Sequence, residues 1–235
     1  GRLWKLNNTD SKLEMEYYIE PETKESDYLK ISSPKELKIC DPACGSGHIL
    51  VYAFDLLYEI YKEAGFSDDD DIIENILTHN LYGIEIDERA SELASFALTM
   101  KAAAKSSSKR RFFKKQTSPN ICKLEVIKFQ SDEIKSSMDA GGRDLFTADL
   151  QETLRQFEEA DNFGSLIVPK VQNVESILKL LESKDVTKDI FLQETHTRVL
   201  GLLKQVDYLS QKYHVVVANP PYMGGKGMSD RLKKY

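Results

Sequence analysis

No apolar run in this chain approaches the ~20 residues of a membrane-spanning helix, and no cleavable-signal pattern opens it. Gly1-Arg2-Leu3-Trp4 begins mid-pattern, as expected of a piece cut from a longer protein. Cysteine is scarce. Cys40, Cys44 and Cys122 form no C-x-x-C pair and have no histidine at zinc-ligand spacing, so neither a metal site nor a disulfide framework is expected. Reduced thiols in a cytoplasmic protein are the simpler expectation. Positive charge is not in excess: 32 Lys and Arg stand against 38 Asp and Glu, a net charge of −6. The chain as a whole is therefore no polyanion binder, and any nucleic-acid contact must come from a local patch or from other parts of the protein. Internal repeats and low-complexity tracts are missing, and with them solenoid and linker architectures.

What the chain does have is a Gly-rich turn between two apolar segments. Asp41-Pro42-Ala43-Cys44-Gly45-Ser46-Gly47 follows the short stub Leu37–Cys40 and precedes the long apolar run His48–Ile60. Strand, tight turn and helix in that order put a carboxylate at a strand tip beside bare backbone N–H groups at a helix N-terminus. Gly45 and Gly47 allow close approach of backbone to a ligand. A dinucleotide-binding turn requires Gly or Ala at the sixth position. Leu50 stands there, with a side chain expected to block close helix–strand packing. A P-loop requires Gly-Lys-Ser or Gly-Lys-Thr, and neither occurs. A carboxylate repels phosphate and attracts ammonium or sulfonium, so Asp41 favours a cationic cofactor.

A second strand is predicted over Leu81–Glu85, within Gly83-Ile84-Glu85-Ile86-Asp87. An acidic residue at that tip can accept from ribose hydroxyls, and Ile86 can pack on an adenine face. A cofactor with an ammonium, a sulfonium, a ribose and an adenine is S-adenosylmethionine. Glu85 and Asp87 also suit a helix N-cap pair, and Asp87 needs no other role.

Further elements follow from periodicity. Helices are predicted from His48 to Ala64 and from Glu88 to Ala104, and the acidic run Asp68–Asp71 is expected to open a short helix over Ile72–Leu77. Residues 1–33 read as a polar, irregular lead-in packed on the core, with Tyr17-Tyr18-Ile19 as its apolar knot. Lys105–Pro119 reads as a loop and Leu124–Phe129 as strand three. Val171–Leu181 and Phe191–Leu209 read as helices, Ala140-Gly141-Gly142 and Phe163-Gly164 as turns, and Tyr213–Ala218 as a buried strand four. The domain layout predicted is thus 1–33 lead-in, 34–130 cofactor-binding half, 131–212 mostly helical insertion, and 213–235 the last strand with a mobile end. Alternation of strands and helices implies a parallel α/β sheet.

At the end of strand four stands Asn219-Pro220-Pro221-Tyr222. Prolines lack N–H donors, so the carbonyls here remain free to accept, as does the Asn219 side-chain oxygen. Tyr222 adds a flat face. That set suits a planar amine: two acceptors hold its N–H groups while the ring stacks on the base. Accepting from both N–H groups pushes the nitrogen towards tetrahedral geometry, freeing its lone pair for in-line attack on a sulfonium methyl.

Residues 41–47, 83–87 and 219–222 resemble motifs I, II and IV of adenine-specific DNA methyltransferases, in the order of the type I and type IIG groups. The stretches "SSPKELKICDPACGSGHILVYAFDLLYEIY", "ILTHNLYGIEIDERASELASFALTMKA", "FEEADNFGSLI" and "YHVVVANPPYMGGKGM" are similar to the PglX family of BREX phage-defence systems. The resemblance implies a Rossmann-like S-adenosylmethionine-dependent methyltransferase fold: a partial parallel sheet with helices on both faces and a helical insertion before strand four. It implies that Asp41, Pro42, Ala43, Cys44, Gly45 and Gly47 line the methionine end of the cofactor. Glu85 holds the ribose and Ile86 the adenine, while Asn219, Pro220, Pro221 and Tyr222 grip the target base. Motif III, an acidic residue meeting the cofactor adenine, falls on Asp132, with Asp144 as the alternative. Double-stranded DNA and other phage-defence subunits are the implied partners; no membrane and no metal are expected. The family is built as longer chains, so strand four is expected to be an open edge.

Three features stay open. Lys105, Lys109, Arg110, Arg111, Lys114 and Lys115 around Phe112-Phe113 suit a DNA-backbone contact, or a solvated loop whose Phe residues dock on the core. Gly224-Gly225-Lys226-Gly227 suits a loop closing over a flipped base, or a disordered end. His48 reads as a helix N-terminal residue, and His79, His196 and His214 carry no assignment. Rival functions are a protein-glutamine or RNA amine methyltransferase, which shares Asn-Pro-Pro-Tyr, and a non-catalytic cofactor-binding scaffold.

Overall fold

Parallel pairing of very short strands organises the chain. In a computed structural model describing residues 1–15, 17–20, 25–130, 133, 148–171, 173–183 and 190–219, β1 (Ile39–Asp41) pairs with β2 (Leu81–Glu85) and with β4 (Val215–Val216). The register sets Ile39 opposite Leu81 and Val215, and Asp41 opposite Gly83. β3 (Asn120–Lys123) adds on the far side of β2, giving the order β3-β2-β1-β4. The α/β parallel sheet with helices read from the sequence is the observed architecture. Among the described residues, no helix is long and apolar enough to cross a membrane.

Two compact units divide the chain. The first comprises Gly1–Ile121 and Lys212–Pro220. It holds α1 (Arg2–Asn7), α2 (His48–Glu63), α3 (Asp69–Asn75), α4 (Glu88–Lys105) and α5 (Lys109–Lys115). α2 buries Leu50, Phe54, Leu57, Tyr58 and Tyr61, a spacing of three and four residues that fills one face. The Asp68 side chain caps α3 by accepting from Asp70 N (2.8 Å) and Asp71 N (3.2 Å), as the acidic run predicts. Asp87 caps α4 through Ala90 N at 2.8 Å.

Several expectations are corrected. The lead-in is not wholly irregular: it opens with α1, and its anchors are Trp4, Leu13 and Ile31, all buried in the main core. Tyr17 and Ile19, read as the apolar knot, are 81% and 89% exposed. The Lys105–Pro119 loop contains α5, a seven-residue helix capped by Ser108 and folded onto the core through Phe112. Strand three lies at Asn120–Lys123 rather than Leu124–Phe129. In the second unit, 124–129 instead hangs on single bonds from Glu125 N to Gln205 Oε1 (2.8 Å) and from Ile127 N to the Phe157 carbonyl (3.3 Å). β4 is shorter than predicted and is not buried: Val215 and Val216 are exposed, and among the described residues β4 stands at one end of the strand order.

The second unit, Cys122–Gln211 in its described part, is helical. It contains α6 (Ala148–Gln156), α7 (Ala160–Phe163), α8 (Val174–Glu182) and α9 (Ile190–Ser210). The last two occupy the stretches read as helices at Val171–Leu181 and Phe191–Leu209. Leu150, Leu154, Phe157, Leu202, Leu203 and Val206 form its buried interior. The 140–142 turn and the Gly224–Gly227 stretch lie outside the described residues.

One buried polar side chain ties the start of the sheet together. A π-helical turn, Ile76–Asn80, delivers Asn80 fully buried before β2. Its Nδ2 donates to the carbonyls of Pro34 (2.8 Å) and Leu37 (2.7 Å), and its Oδ1 accepts from Tyr61 Oη (2.9 Å). Asn80→Ala takes the side-chain partner from the Tyr61 hydroxyl and the Leu37 carbonyl, leaves the Pro34 carbonyl with Leu37 N alone, and should lower stability by about 2–3 kcal/mol. A urea-unfolding midpoint displaced with an unchanged slope would show it; an unmoved midpoint would deny Asn80 this role.

Candidate functional site

The turn from β1 into α2 is held by carboxylates. Asp41 Oδ1 accepts from Ala43 N at 3.1 Å, and Glu85 Oε2 reaches across from β2 to accept from Gly45 N at 2.8 Å. Cys44 N donates to the Ile84 carbonyl (3.0 Å), and Gly47 N to the Cys44 carbonyl (2.8 Å). The expected row of bare N–H groups is therefore corrected: the amides of 43, 44, 45 and 47 already have acceptors. Anionic ligands would meet two carboxylates and few free donors, whereas a cation meets complementary charge.

Glu85 does more than close the turn. Its Oε1 accepts from Ile86 N (2.8 Å) and Asp87 N (3.0 Å), so one carboxylate gathers three backbone amides from two strand tips. A carboxylate has about four lone-pair sites, which leaves room for a further donor. Ile86, next in sequence, is 48% exposed and offers an apolar face beside it. Asp87 acts as the α4 cap, the simpler of its two readings.

Asp41 is only 1% exposed. Burial pushes its carboxyl above the usual carboxylate range; the Ala43 amide opposes the rise and the Glu85 charge adds to it. Burial also pushes the thiols of Cys44 and Cys40 up to about 12, so both are neutral, unreactive thiols at neutral pH.

The two glycines differ in purpose. Both have positive φ, +52° at Gly45 and +81° at Gly47. A Cβ at Gly45 would meet nothing within 4 Å, whereas one at Gly47 would lie 3.0 Å from Ala94 Cα and Cβ. Gly47 thus makes room for α4, and Gly45 is the one with open space where a side chain would stand. Pro42 and Ala43 are half-buried within the turn. His48 is the first residue of α2, with Nδ1 2.9 Å from Ser46 Oγ.

Leu50 does not hold α2 off the sheet. It is fully buried, and a Cβ at Gly83 would lie 2.9 Å from Leu50 Cδ1 and from Cys44 Sγ. The glycine that permits close packing sits on the strand instead of the helix. Sequence reasoning missed Gly83; a glycine inside a strand is the signal that would have found it. His214 was also passed over: its Nδ1 accepts from Lys38 N at 3.2 Å, joining the starts of β4 and β1.

Asn219 belongs to the same sheet edge. Val217 N donates to the Cys40 carbonyl at 2.9 Å, and two residues later Asn219 stands exposed beyond the carboxyl end of β4, next to β1. Asp41 and Glu85 thus end β1 and β2, and Asn219 follows the end of β4 by three residues, all at the carboxyl ends of parallel neighbours. Pro220, Pro221, Tyr222, Asp132 and Asp144 lie outside the described residues.

A family model for the Eco57I restriction-modification methylase matches residues 79–235, more than half of the chain. The chain belongs to the Eco57I restriction-modification methylase family. That match takes in β2, Glu85 and Asn219, while a model for the DNA-methyltransferase domain of MmeI matches 23–125 and takes in the turn at 41–47. Among curated relatives, the adenine-specific methyltransferase BrxX of Escherichia coli O9:H4 (strain HS) is 35% identical over 268 residues, covering 100% of this chain and 22% of that protein. The adenine-specific methyltransferase PglX of Lacticaseibacillus casei (strain Zhang) is 31% identical over 229 residues, covering 93% and 19%. The Eco57I-family chain therefore spans about a fifth of the length of these relatives.

The two carboxylates generate two predictions. A carboxyl whose pKa is higher folded than unfolded takes up protons on folding. Its contribution therefore favours the folded state at low pH and is lost as pH rises from the ordinary carboxylate range through the raised value. Asp41→Asn, which keeps an oxygen for Ala43 N, should raise the melting temperature of the unliganded protein at pH 7, with the gain shrinking towards pH 4. Equal gains at both pH values would contradict a buried ionised Asp41. Glu85→Gln replaces one acceptor oxygen by a donor and should speed hydrogen exchange at the Gly45 amide by about 10- to 100-fold, read by NMR. An unchanged rate would mean that Glu85 does not hold the turn.

Proposed function

We propose that this chain is the cofactor- and adenine-binding core of a site-specific DNA adenine N6-methyltransferase acting in phage defence in the cytoplasm. The reading rests above all on Asp41 and Glu85 closing on the Gly-rich turn at the same sheet edge as Asn219. Membership of a restriction-modification methylase family and likeness to two adenine-specific methyltransferases support the substrate class.

S-adenosylmethionine fits this donor set and would supply an electrophilic methyl group on a positive sulfur. Asp41, with the backbone of Pro42, Ala43 and Cys44, would hold its methionine end. The space beside Gly45 admits it without a Cβ clash. Glu85 would accept from the ribose with its remaining lone pairs, and Ile86 would cover the adenine. Asp132, the motif III candidate, would meet that adenine at its edge.

The adenine to be modified must leave the duplex to reach this edge. Asn219 Oδ1 and the Pro220 carbonyl would accept from its exocyclic N–H groups, the Pro221 ring would stiffen the clamp, and Tyr222 would stack on the base. Holding both N–H groups localises the nitrogen lone pair and aims it, so positioning and fixed dipoles carry the catalysis. The amine proton leaves after transfer to an acceptor at this edge or to water. Other subunits of a defence system are the expected partners.

The test pairs binding with turnover in the intact protein. Asn219→Ala should leave S-adenosylmethionine affinity, measured by calorimetric titration, within about threefold while methylation of unmodified duplex DNA falls about 100-fold or more. Undiminished methylation by Asn219→Ala would sink the catalytic assignment. Methylation of protein glutamine or RNA in place of DNA would transfer the site to the rival substrate classes.

A further inference from the structure

Helix α5 sorts its five cations by face. Arg111 and Lys115, one turn apart, point towards α3. Arg111 lies 3.8 Å from Asp70 and donates to Ser107 Oγ at 3.1 Å, and Lys115 lies 3.0 Å from Glu74. Phe112 between them is buried. The other three, Lys109, Arg110 and Lys114, are exposed and have no carboxylate within ion-pair distance among the described residues. With Phe113, which is 51% exposed, they occupy positions i, i+1, i+4 and i+5 of the helix, a contiguous face about 6 Å between neighbours. A chain with net charge −6 thus keeps, among the described residues, a positive face without ion-pair partners on a short, separately capped helix.

Topology fixes where that face lies. α4 starts three residues after Glu85, at the carboxyl edge of the sheet, and its 18 residues run back about 27 Å. α5 follows at once, packed on α3, which precedes the amino end of β2. The face is therefore remote from Asp41, Glu85 and Asn219, and a target base held at the carboxyl edge cannot touch it.

We propose that Lys109, Arg110, Phe113 and Lys114 form a sequence-independent docking surface for the phosphodiester backbone of DNA, distinct from the methyl-transfer site. Duplex DNA carries one negative charge per about 1.7 Å of its axis, so several phosphates lie within reach of three cations on one helical face. The Arg110 guanidinium presents a planar fork to phosphate oxygens, and Phe113 offers an apolar surface to sugar or to an unstacked base. The choice of DNA as the polyanion rests on the function proposed above; the positive face itself does not. Its role is retention: it holds DNA near the enzyme without reading sequence.

The experiment uses the intact protein and a duplex of G·C pairs only, which offers no adenine to the transfer site. Binding is followed by fluorescence anisotropy across a salt series. Arg110→Gln with Lys114→Gln should reduce the slope of log K against log[salt] by roughly 2, at about 0.9 for each phosphate no longer neutralised. Arg111→Gln with Lys115→Gln, which removes equal charge from the paired row, should leave the slope as it is. Both variants should keep wild-type S-adenosylmethionine affinity, which reports an intact fold. An unchanged slope in the Arg110/Lys114 variant, as an acidic protein partner would give, overturns the proposal. So does an equal drop in the Arg111/Lys115 variant, which would reflect overall charge alone. If the slope falls while no adenine is ever methylated, the docking surface stands and the proposed function fails; methylation with an unchanged slope means the reverse.

Discussion

The hydrogen bond from Gly45 N to the Glu85 carboxylate joins two strand tips that sequence separates by 40 positions. Without it the Gly-rich turn would be fixed only by its own short bonds and by Cys44 N on the Ile84 carbonyl. The same carboxylate also gathers the amides of Ile86 and Asp87, so the start of α4 and the turn before α2 share one anchor. This sets the sign of the site. A glycine turn at a helix N-terminus ordinarily offers donors to an anion. Here two of the donors face carboxylates supplied by the protein itself, and the open space beside Gly45 borders negative charge.

That sign has a consequence for stability. Asp41 is buried, and the charge of Glu85 nearby discourages its ionisation. Two carboxylates beside one turn form an arrangement that costs the empty protein and that a bound cation relieves, because the attraction and the repulsion act through the same low-dielectric space. The neutral thiols of Cys40 and Cys44 line this region without adding charge. Attraction for positive charge and repulsion between the carboxylates are two readings of one arrangement, the usual trade-off at a preorganised site.

Elements bounded by local chemistry were legible in the sequence. β2 lies where Leu81–Glu85 predicts it, and α2 and α4 begin at the residues that Gly47 and Asp87 mark. Elements decided by distant partners were not. The apolar and β-branched residues of Leu124–Phe129 suit a strand, but the ladder on β2 is taken by Asn120–Lys123, and local pattern cannot tell which of two neighbouring segments wins the pairing. α5 is too short to be stable by propensity alone. It forms because Ser108 caps it, Phe112 is buried and α3 supplies Asp70 and Glu74, three conditions of which only the first is local. Tyr17 and Ile19 were misjudged because hydrophobicity alone does not say which residues of a lead-in reach the core; Trp4 does so partly through its Nε1 bond to Glu63 at 2.6 Å. At the site, the carboxylates and the Gly turn were readable as residue types, but their bonding to one another was not.

The pair Leu50 and Gly83 shows why a missing fingerprint residue excludes less than it suggests. Close packing of the first helix on the sheet needs one partner at the crossing to lack a side chain. Dinucleotide-binding folds place that gap on the helix. Here the helix carries Leu50, and β2 carries the gap at Gly83, directly opposite Asp41 in the parallel register. The steric requirement is met from the other side, and a fully buried leucine is gained for the core. Leu50 therefore argues against a dinucleotide turn only as a pattern of residues, not through any gap between helix and sheet. What distinguishes this site from a phosphate cradle is the bonding of the turn's amides to Asp41 and Glu85, a difference of charge that packing geometry alone would not reveal.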